Sequence, residues 1–425
     1  MKLLYASKYL RRTLIRLFLV PGSLLVLQAQ SLTIAATDYA TLGNPTSAVA
    51  TRDGRYVFVS VTNVGSSDFK GSDQAAGARK DVVSGIQIFG PAHGSKLKSF
   101  GFIPIGSTGA NGLVLLKGDH TLVVGAGDAG VAFLNVQEMV RGRAKTYFAA
   151  QGDKAGTFDV VASPDGKFVF SANEYGIVQG QRGSVGIIAV IADNDGKVRH
   201  PQIVGQIPAG NVVPSLALSP DGSRLYVATE LVPANNPPPI AGAGNPTLAK
   251  NDCLQKKGTP PQGNGFITVI DAQKATESPS SAILSRVAAG CSPVRLVETA
   301  DSSVLFVSAR GDDRILAFAP RLLESDPEHA LLRAIPSGGA APVGMRLFGH
   351  DRLLAVANSN RFADSDGSVA VLNVSDVSGS SDDLLLKTWQ AGGFPRNMGI
   401  SPDSRILYLT NYASRSLQVI QSSVR

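Results

Sequence analysis

The chain has 425 residues, 45 of them glycine and one tryptophan, with a formal net charge of +7 and a pI near 9.3. Five positive charges fall within the first 31 residues, which hold no acid, so the rest of the chain is close to +2. A nearly neutral body of this length can bury a large core and is not a surface drawn onto nucleic acid by charge, so no nucleic-acid partner is expected.

Lys2, Lys8, Arg11, Arg12 and Arg16 precede an apolar run from Leu17 to Leu27, and Leu27-Gln28-Ala29 resembles a cleavage site. This is the pattern of a secretory signal peptide over residues 1–29. The run is short for a membrane span and is interrupted by Pro21-Gly22; the alternative is an uncleaved N-terminal anchor. No second long apolar stretch follows. The mature chain, residues 30–425, is therefore expected to be exported, periplasmic or secreted, with no membrane span.

Ser31 to Ala36 reads SLTIAA, a strand with no partner before it. A hairpin unit then recurs seven times. Its turn falls at Asp53, Asp119, Asp165, Asp221, Asp301, His350 and Asp403, and its second strand ends eight residues later, at Val61, Gly127, Asn173, Thr229, Ala309, Asn358 and Asn411. The clearest copy is VPSLALSPDGSRLYVATE, Val213 to Glu230. There Pro presets φ, Asp caps its own backbone and Gly accepts positive φ. A third strand follows each hairpin, as in SGIQIFG, GFITVID and SVAVLNV, and usually a fourth, as in SRVAAGCSP and KTWQAGGFP. The seventh unit runs out after its third strand, near Gln421, so residues 31–37 are expected to supply its fourth and remove the open edge. Seven units of four short strands, with no amphipathic helix between them, predict an all-β fold: a seven-bladed β-propeller of four-stranded antiparallel blades, its ring closed by the N-terminal strand.

The SPDGxxLYVaN hairpin followed by a VxVID-like strand resembles the YVTN-repeat propellers, and is similar to the seven-bladed lactonase-like family that includes 6-phosphogluconolactonase-type proteins. The likeness covers nearly the whole chain after residue 31. It implies a site at the channel mouth and an activity of lactone hydrolysis. The repeat itself is scaffold, and many unrelated activities sit on propellers.

Insertions between second and third strands occur at 63–84, 175–183, 231–265 and 359–366. In a propeller these loops gather on one face, around the channel mouth, and long loops in a compact fold are usually functional or disordered. Cys253 lies in the third insertion and Cys291 before the fifth unit, on that same face; an even pair in an exported chain reads as a disulfide. The five histidines, His93, His120, His200, His329 and His350, all map away from the mouth, which disfavours a His-based triad or metal site there. No metal and no cofactor are expected.

The first strand of each unit lines the channel, and its period of two sorts its side chains. Counted from the residue eight before each turn, the positions two on are Ser47, Leu113, Asp159, Ser215, Arg295, Gly344 and Asn397; those four on include Arg346. These mixed rings face the channel, whereas the positions three and five on are apolar core, with Glu298 the exception. Second-strand ends add Asn173, Glu174, Glu230, Arg310, Asn358 and Asn411 at the mouth, and Arg396 adjoins Asn397. The candidate bases are Glu174, Glu230 and Asp159. The candidate ligand-binding groups are Arg295, Arg310, Arg346, Arg396, Asn397, Asn173, Asn358 and Asn411, with arginines as carboxylate or phosphate clamps. The expected partner is a small polar or anionic molecule, such as a sugar lactone, opened by a carboxylate-activated water. The alternative is a non-catalytic module whose loops hold a protein or cell-surface partner. A monomer is expected in either case.

Overall fold

The structure is a computed structural model that describes residues 32–65, 82–91, 96–150, 155–233, 238–242, 253, 263–361, 363, 365–379 and 384–424. The expected signal peptide at 1–29, His93 and most of the insertions at 63–84 and 231–265 lie outside the described residues.

Seven four-stranded antiparallel sheets follow one another around a ring. The innermost strands of blades 1 to 7 are Asn44–Ala50, Leu113–Leu115, Thr157–Ala162, Ser215–Leu218, Pro293–Glu298, Pro342–Phe348 and Pro395–Ile400. Each is followed by its hairpin partner and then by the third strand. In blades 1 to 6 the outermost strand is next in sequence. In blade 7 it is Leu32–Ala40, which pairs antiparallel with Ser416–Val424 from Leu32↔Val424 to Ala40↔Ser416. The N-terminal strand and the C-terminal strand thus share one blade, which closes the ring.

The repeated turn has one construction. In blade 4, Ser219 Oγ donates to Asp221 Oδ1 (2.6 Å), which also accepts from Ser223 N (2.9 Å), while Arg224 N donates to Ser219 Oγ (2.9 Å). Blade 3 repeats this with Ser163 and Asp165, and blade 7 with Ser401 and Asp403. Blade 5 uses Thr299 and Asp301. Gly166 and Gly222 sit at φ of 76° and 74°, where a Cβ is disfavoured. The motif is therefore occupied in holding its own turn.

The core lies between blades. One layer packs Tyr226, Ile267 and Val269 of blade 4 against Leu296, Leu305, Val307 and Phe318 of blade 5, all buried. Hydroxyls in the second strands stitch neighbours together: Ser60 Oγ donates to Asn111 O (2.6 Å), Ser308 Oγ to Val343 O (3.0 Å) and Thr410 Oγ1 to Thr46 O (3.4 Å). These bonds reach the next blade's innermost strand at or just before its start.

Candidate functional site at the channel mouth

The innermost strands do not keep a simple alternation. The ladder shifts register between Pro45 and Ser47, Thr157 and Asp159, Pro293 and Arg295, Pro342 and Met345, and Pro395 and Asn397. Such a bulge re-aims the residue it contains. That residue is Phe158 in blade 3, Val294 in blade 5, Val343 in blade 6 and Arg396 in blade 7. Together with Pro214 of blade 4 they line a mouth cavity of about 290 Å³. The backbone just before several of these strands is also held at positive φ, at Gly156, Val212, Ser292, Ala341 and Phe394. Four of those five are not glycine, so the mouth is built on conformations that cost energy.

Second-strand ends and the connections beyond them complete the wall with Glu174, Tyr175, Glu230, Arg310, Arg361 and Tyr412; Phe394 and Arg295 join them from the innermost-strand side. Four arginines face two glutamates. Glu230 is committed: its Oε2 accepts from Arg310 Nη2 at 2.6 Å, and both side chains are buried. Glu174 joins no ion pair among the described residues. Burial raises its carboxyl above the ordinary value, the nearby Glu230 charge adds to the rise, and Arg396, Tyr175 and Arg361 oppose it.

Three of the arginines, Arg295, Arg361 and Arg396, lie over aromatic rings. The Arg295 guanidinium lies 5.5 Å from the Phe158 ring centroid, and Arg396 lies 4.7 Å from Phe158, 5.1 Å from Tyr412 and 6.0 Å from Phe394. Arg361 lies 5.3 Å from Phe394. Cation and ring thus alternate from the cavity floor to its rim, an arrangement that holds guanidiniums in place without neutralising them. Arg396 has neither a hydrogen bond nor an ion pair among the described residues. Burial brings its pKa down to about 10, and the charges of Arg295 and Arg361 add to that fall, opposed by Tyr412 and Glu174.

Below this floor lies a second cavity, about 400 Å³, inside the channel. Asp159, Arg346 and Asn397 line it together with Ser47 and Ser215, and Arg295 borders both cavities; residues at positions expected in the core, among them Val160, Leu216, Leu296, Met345 and Glu298, line it too, so the two sets of positions are not cleanly divided. Asn397 Nδ2 donates to Ser47 Oγ across the junction of blades 7 and 1 (3.1 Å). The glycines in those rings are there for close approach: a Cβ on Gly344 would come within 2.9 Å of Arg396 O, and one on Gly399 within 2.4 Å of Ala48 O.

The predicted site residues therefore separate into three groups. Glu174, Glu230, Arg295, Arg310 and Arg396 meet at the mouth. Asp159, Arg346 and Asn397 belong to the channel. Asn173, Asn358 and Asn411 are buried inside their blades, where Thr157 Oγ1 donates to Asn173 Oδ1 (2.8 Å), Asn358 Nδ2 donates to Ser337 O (3.0 Å) and Asn411 Nδ2 to Ser416 Oγ (3.2 Å). They lace strands and line neither cavity. The aromatics Phe158, Tyr175, Phe394 and Tyr412, and Arg361 in the 359–366 insertion, were not singled out by strand periodicity. Of the described histidines, none lines the mouth, and among the described residues no cluster of three or more His, Cys, Asp or Glu could hold a metal ion.

Cys253 and Cys291 are joined by a disulfide across a sequence separation of 38. It ties the blade 4 insertion to the end of that blade's outermost strand, Ile283–Cys291, where Cys291 N also donates to Asp312 Oδ2 of blade 5 (2.7 Å). Among the described residues no helix is long and apolar enough to cross a membrane.

No family model matches the chain, and no curated protein matches it. Solved structures do. A Kuenenia stuttgartiensis hydrazine synthase chain superposes with a TM-score of 0.59 at 15% identity, covering 90% of this chain and 97% of that one. A chain from a crystal structure of the mitotic checkpoint complex gives a TM-score of 0.57 at 12% identity, covering 90% and 92%. At these identities the likeness is one of fold, and the resemblance to lactonase-like propellers rests on the repeat motifs alone.

Proposed function

We propose that the protein is an exported propeller that binds a small organic anion in its mouth cavity and opens a lactone or related ester of that anion. The observation that carries this reading is Arg396: a guanidinium held by three aromatic rings, lining the mouth cavity, with no ion pair of its own among the described residues. A site of this kind is prepared for a ligand's carboxylate or phosphate. The 290 Å³ volume suits a ligand of sugar-acid size. The Cys253–Cys291 disulfide supports an oxidising compartment.

Glu174 is the carboxylate available for the chemistry, because Glu230 is paired with Arg310 and Asp159 lies beyond Arg295. As the base, Glu174 takes a proton from water while the water oxygen attacks the lactone carbonyl. Arg396 and Arg361 stabilise the negative charge that develops on the carbonyl oxygen. The ring C–O bond then breaks, and the leaving alkoxide takes back the proton from Glu174. A raised Glu174 pKa suits this exchange near neutral pH.

The test is a pH-stat assay over a panel of sugar-acid δ- and γ-lactones, with wild type and Glu174→Gln. Turnover that falls by about 100-fold or more in the variant, with the product acid still bound, supports the assignment. Turnover equal in both removes Glu174 from the mechanism. If wild type neither opens a lactone nor binds an acid of the panel, the mouth is an interaction surface for a protein or cell-surface partner.

A further inference from the structure

A larger cavity, about 590 Å³, opens on the face away from the mouth. Its walls come from three blades. They are the hairpin turns of blades 1 and 2, the short helix Val136–Val140 of blade 2, and the connection at 195–197 between the third and fourth strands of blade 3. Val136 N donates to His120 O (3.0 Å), which fixes the helix to the blade 2 turn.

The charges of this cavity are balanced. Arg55, Arg141 and Lys197 face Asp53, Asp119 and Asp195. Each of the six also has an opposite charge within contact distance: Arg55 with Asp53, Arg141 and Lys197 with Glu138, Asp195 with Arg199, and Asp119 with Arg52. An ionic ligand finds no net charge to meet there, in contrast to the mouth, where four arginines face two glutamates. Uncharged donors and acceptors remain. The His120 and Gln137 side chains have no hydrogen-bond partner among the described residues, and Asn135 uses its Oδ1 alone, accepting from Glu138 N at 3.0 Å.

The apolar part of the cleft is aromatic. Tyr56 lines it, its N donating to Thr51 Oγ1 (3.1 Å) and its ring stacked 6.2 Å from the buried Phe58. Phe100 meets Tyr56 edge to face at 6.3 Å. Phe100 belongs to the outermost strand of blade 1, Lys98–Pro104, where the ladder passes from Ile88↔Gly101 to Phe89↔Ser99 and leaves Phe100 unpaired. Such a bulge re-aims the residue it contains. The Phe100 ring is 63% exposed, more than any other aromatic side chain among the described residues. Packing within the blade gains little from a ring so placed.

We propose that this cleft is a second binding site, separate from the mouth, for a neutral oligosaccharide. One sugar ring stacks on Phe100 beside Tyr56, and hydroxyls of the chain bond to His120, Asn135 and Gln137. A pyranose suits these groups: its axial C–H bonds form an apolar face for an aromatic ring, its hydroxyls need both donors and acceptors, and it carries no charge. The volume lies within the range of small-ligand sites, about 300–1,000 Å³.

The probes are four neutral tetrasaccharides, cellotetraose, chitotetraose, maltotetraose and mannotetraose, with tetragalacturonate as the acidic control. Binding is read by calorimetry and by saturation-transfer NMR with the aromatic protons irradiated. At least one neutral chain should bind wild type saturably, with the strongest transfer to the C–H protons of one sugar face. Phe100→Ala, at an exposed position, should keep the wild-type melting temperature and lactone turnover but bind that sugar about five- to ten-fold more weakly. Phe100→Trp should retain binding, and Gln137→Ala should weaken it about two- to ten-fold. Arg396→Gln at the mouth should change it by about two-fold or less. The proposal is overturned if no neutral chain binds wild type, if tetragalacturonate binds more tightly than all four, or if affinity is unaltered in Phe100→Ala. Binding abolished by Arg396→Gln would also overturn it, by placing the sugar at the mouth. The reading of the mouth as an acid site stands or falls by its own test.

Discussion

Replacing Arg396 with methionine separates a ligand-binding role from a structural one, because the two predict opposite signs. In the free protein the Arg396 charge is disfavoured: its pKa falls to about 10 from an ordinary value of 12.5. At about 1.4 kcal/mol per unit, that corresponds to at most ~3 kcal/mol of cost at pH 7, reduced by the side chain's partial contact with cavity water. Stacking on Phe158, Tyr412 and Phe394 is already included in the native state and is worth about 1–2 kcal/mol, much of which an apolar methionine keeps through contact with the same rings. The variant should therefore be as stable as wild type or more stable, by up to about 2 kcal/mol in urea denaturation. Its affinity for an acid of the lactone panel, read by calorimetry, should fall by about 1.5–3 kcal/mol, or roughly 10- to 150-fold. A variant destabilised by more than about 1 kcal/mol that still binds the acid normally would refute the reasoning.

Removing Leu32–Ala40 should cost several kcal/mol in denaturant unfolding, because blade 7 loses a strand paired along its whole length and its third strand becomes an edge; unchanged stability would contradict ring closure by the N-terminal strand. The double variant Cys253→Ser, Cys291→Ser should lose up to about 4 kcal/mol, the chain-entropy value for a 38-residue loop, measured against wild type in non-reducing urea titrations. Glu298 is raised to about 7, first by burial, with Ser302 opposing and Asp221 and Asp301 adding. A carboxyl raised on folding contributes stability below its unfolded value near 4.5 that is lost as pH rises through 7. Glu298→Gln should therefore flatten the decline in melting temperature between pH 5 and 8 and be more stable than wild type at pH 8, on the order of 1–2 kcal/mol after allowance for solvent screening; an identical pH profile would place the carboxyl in water.

The architecture was legible because the repeat is written in the turn. Ser219, Asp221 and Gly222 carry the hydrogen bonds and the φ that the hairpin needs, and the same chemistry recurs in other blades. The channel was legible too, since Asp159, Arg295, Arg346 and Asn397, each just past a register shift, still line the channel where the period of two put them. The mouth was legible in its glutamates and in Arg295, Arg310 and Arg396 but not in its aromatics, because a register shift in five innermost strands turns the residue before Asp159, Arg295 or Asn397 out of the ladder. Alternation gives Phe158 no place beside a ligand, and leaves Arg396 as a mere neighbour of Asn397. The three asparagines were misleading for the opposite reason: Asn358 and Asn411 end second strands and Asn173 lies within one, but side-chain bonds with Thr157, Ser337 and Ser416 hold all three away from the cavity. Arg361 lies in an insertion, where no strand period applies. The stacked proline and glycine signals before Pro293, Pro342 and Pro395 mark the mouth only once the bulge that follows them is known.

The central claim is that the mouth cavity, organised by Arg396, is where a small organic anion binds. The most direct measurement is a crystal structure of the protein with the tightest-binding acid of the lactone panel. The account predicts that acid in the cavity, its anionic group against the Arg396 and Arg361 guanidiniums and its carbonyl-derived carbon beside Glu174. An acid bound elsewhere on the propeller, or seated in the mouth with its charge turned away from Arg396, would contradict it.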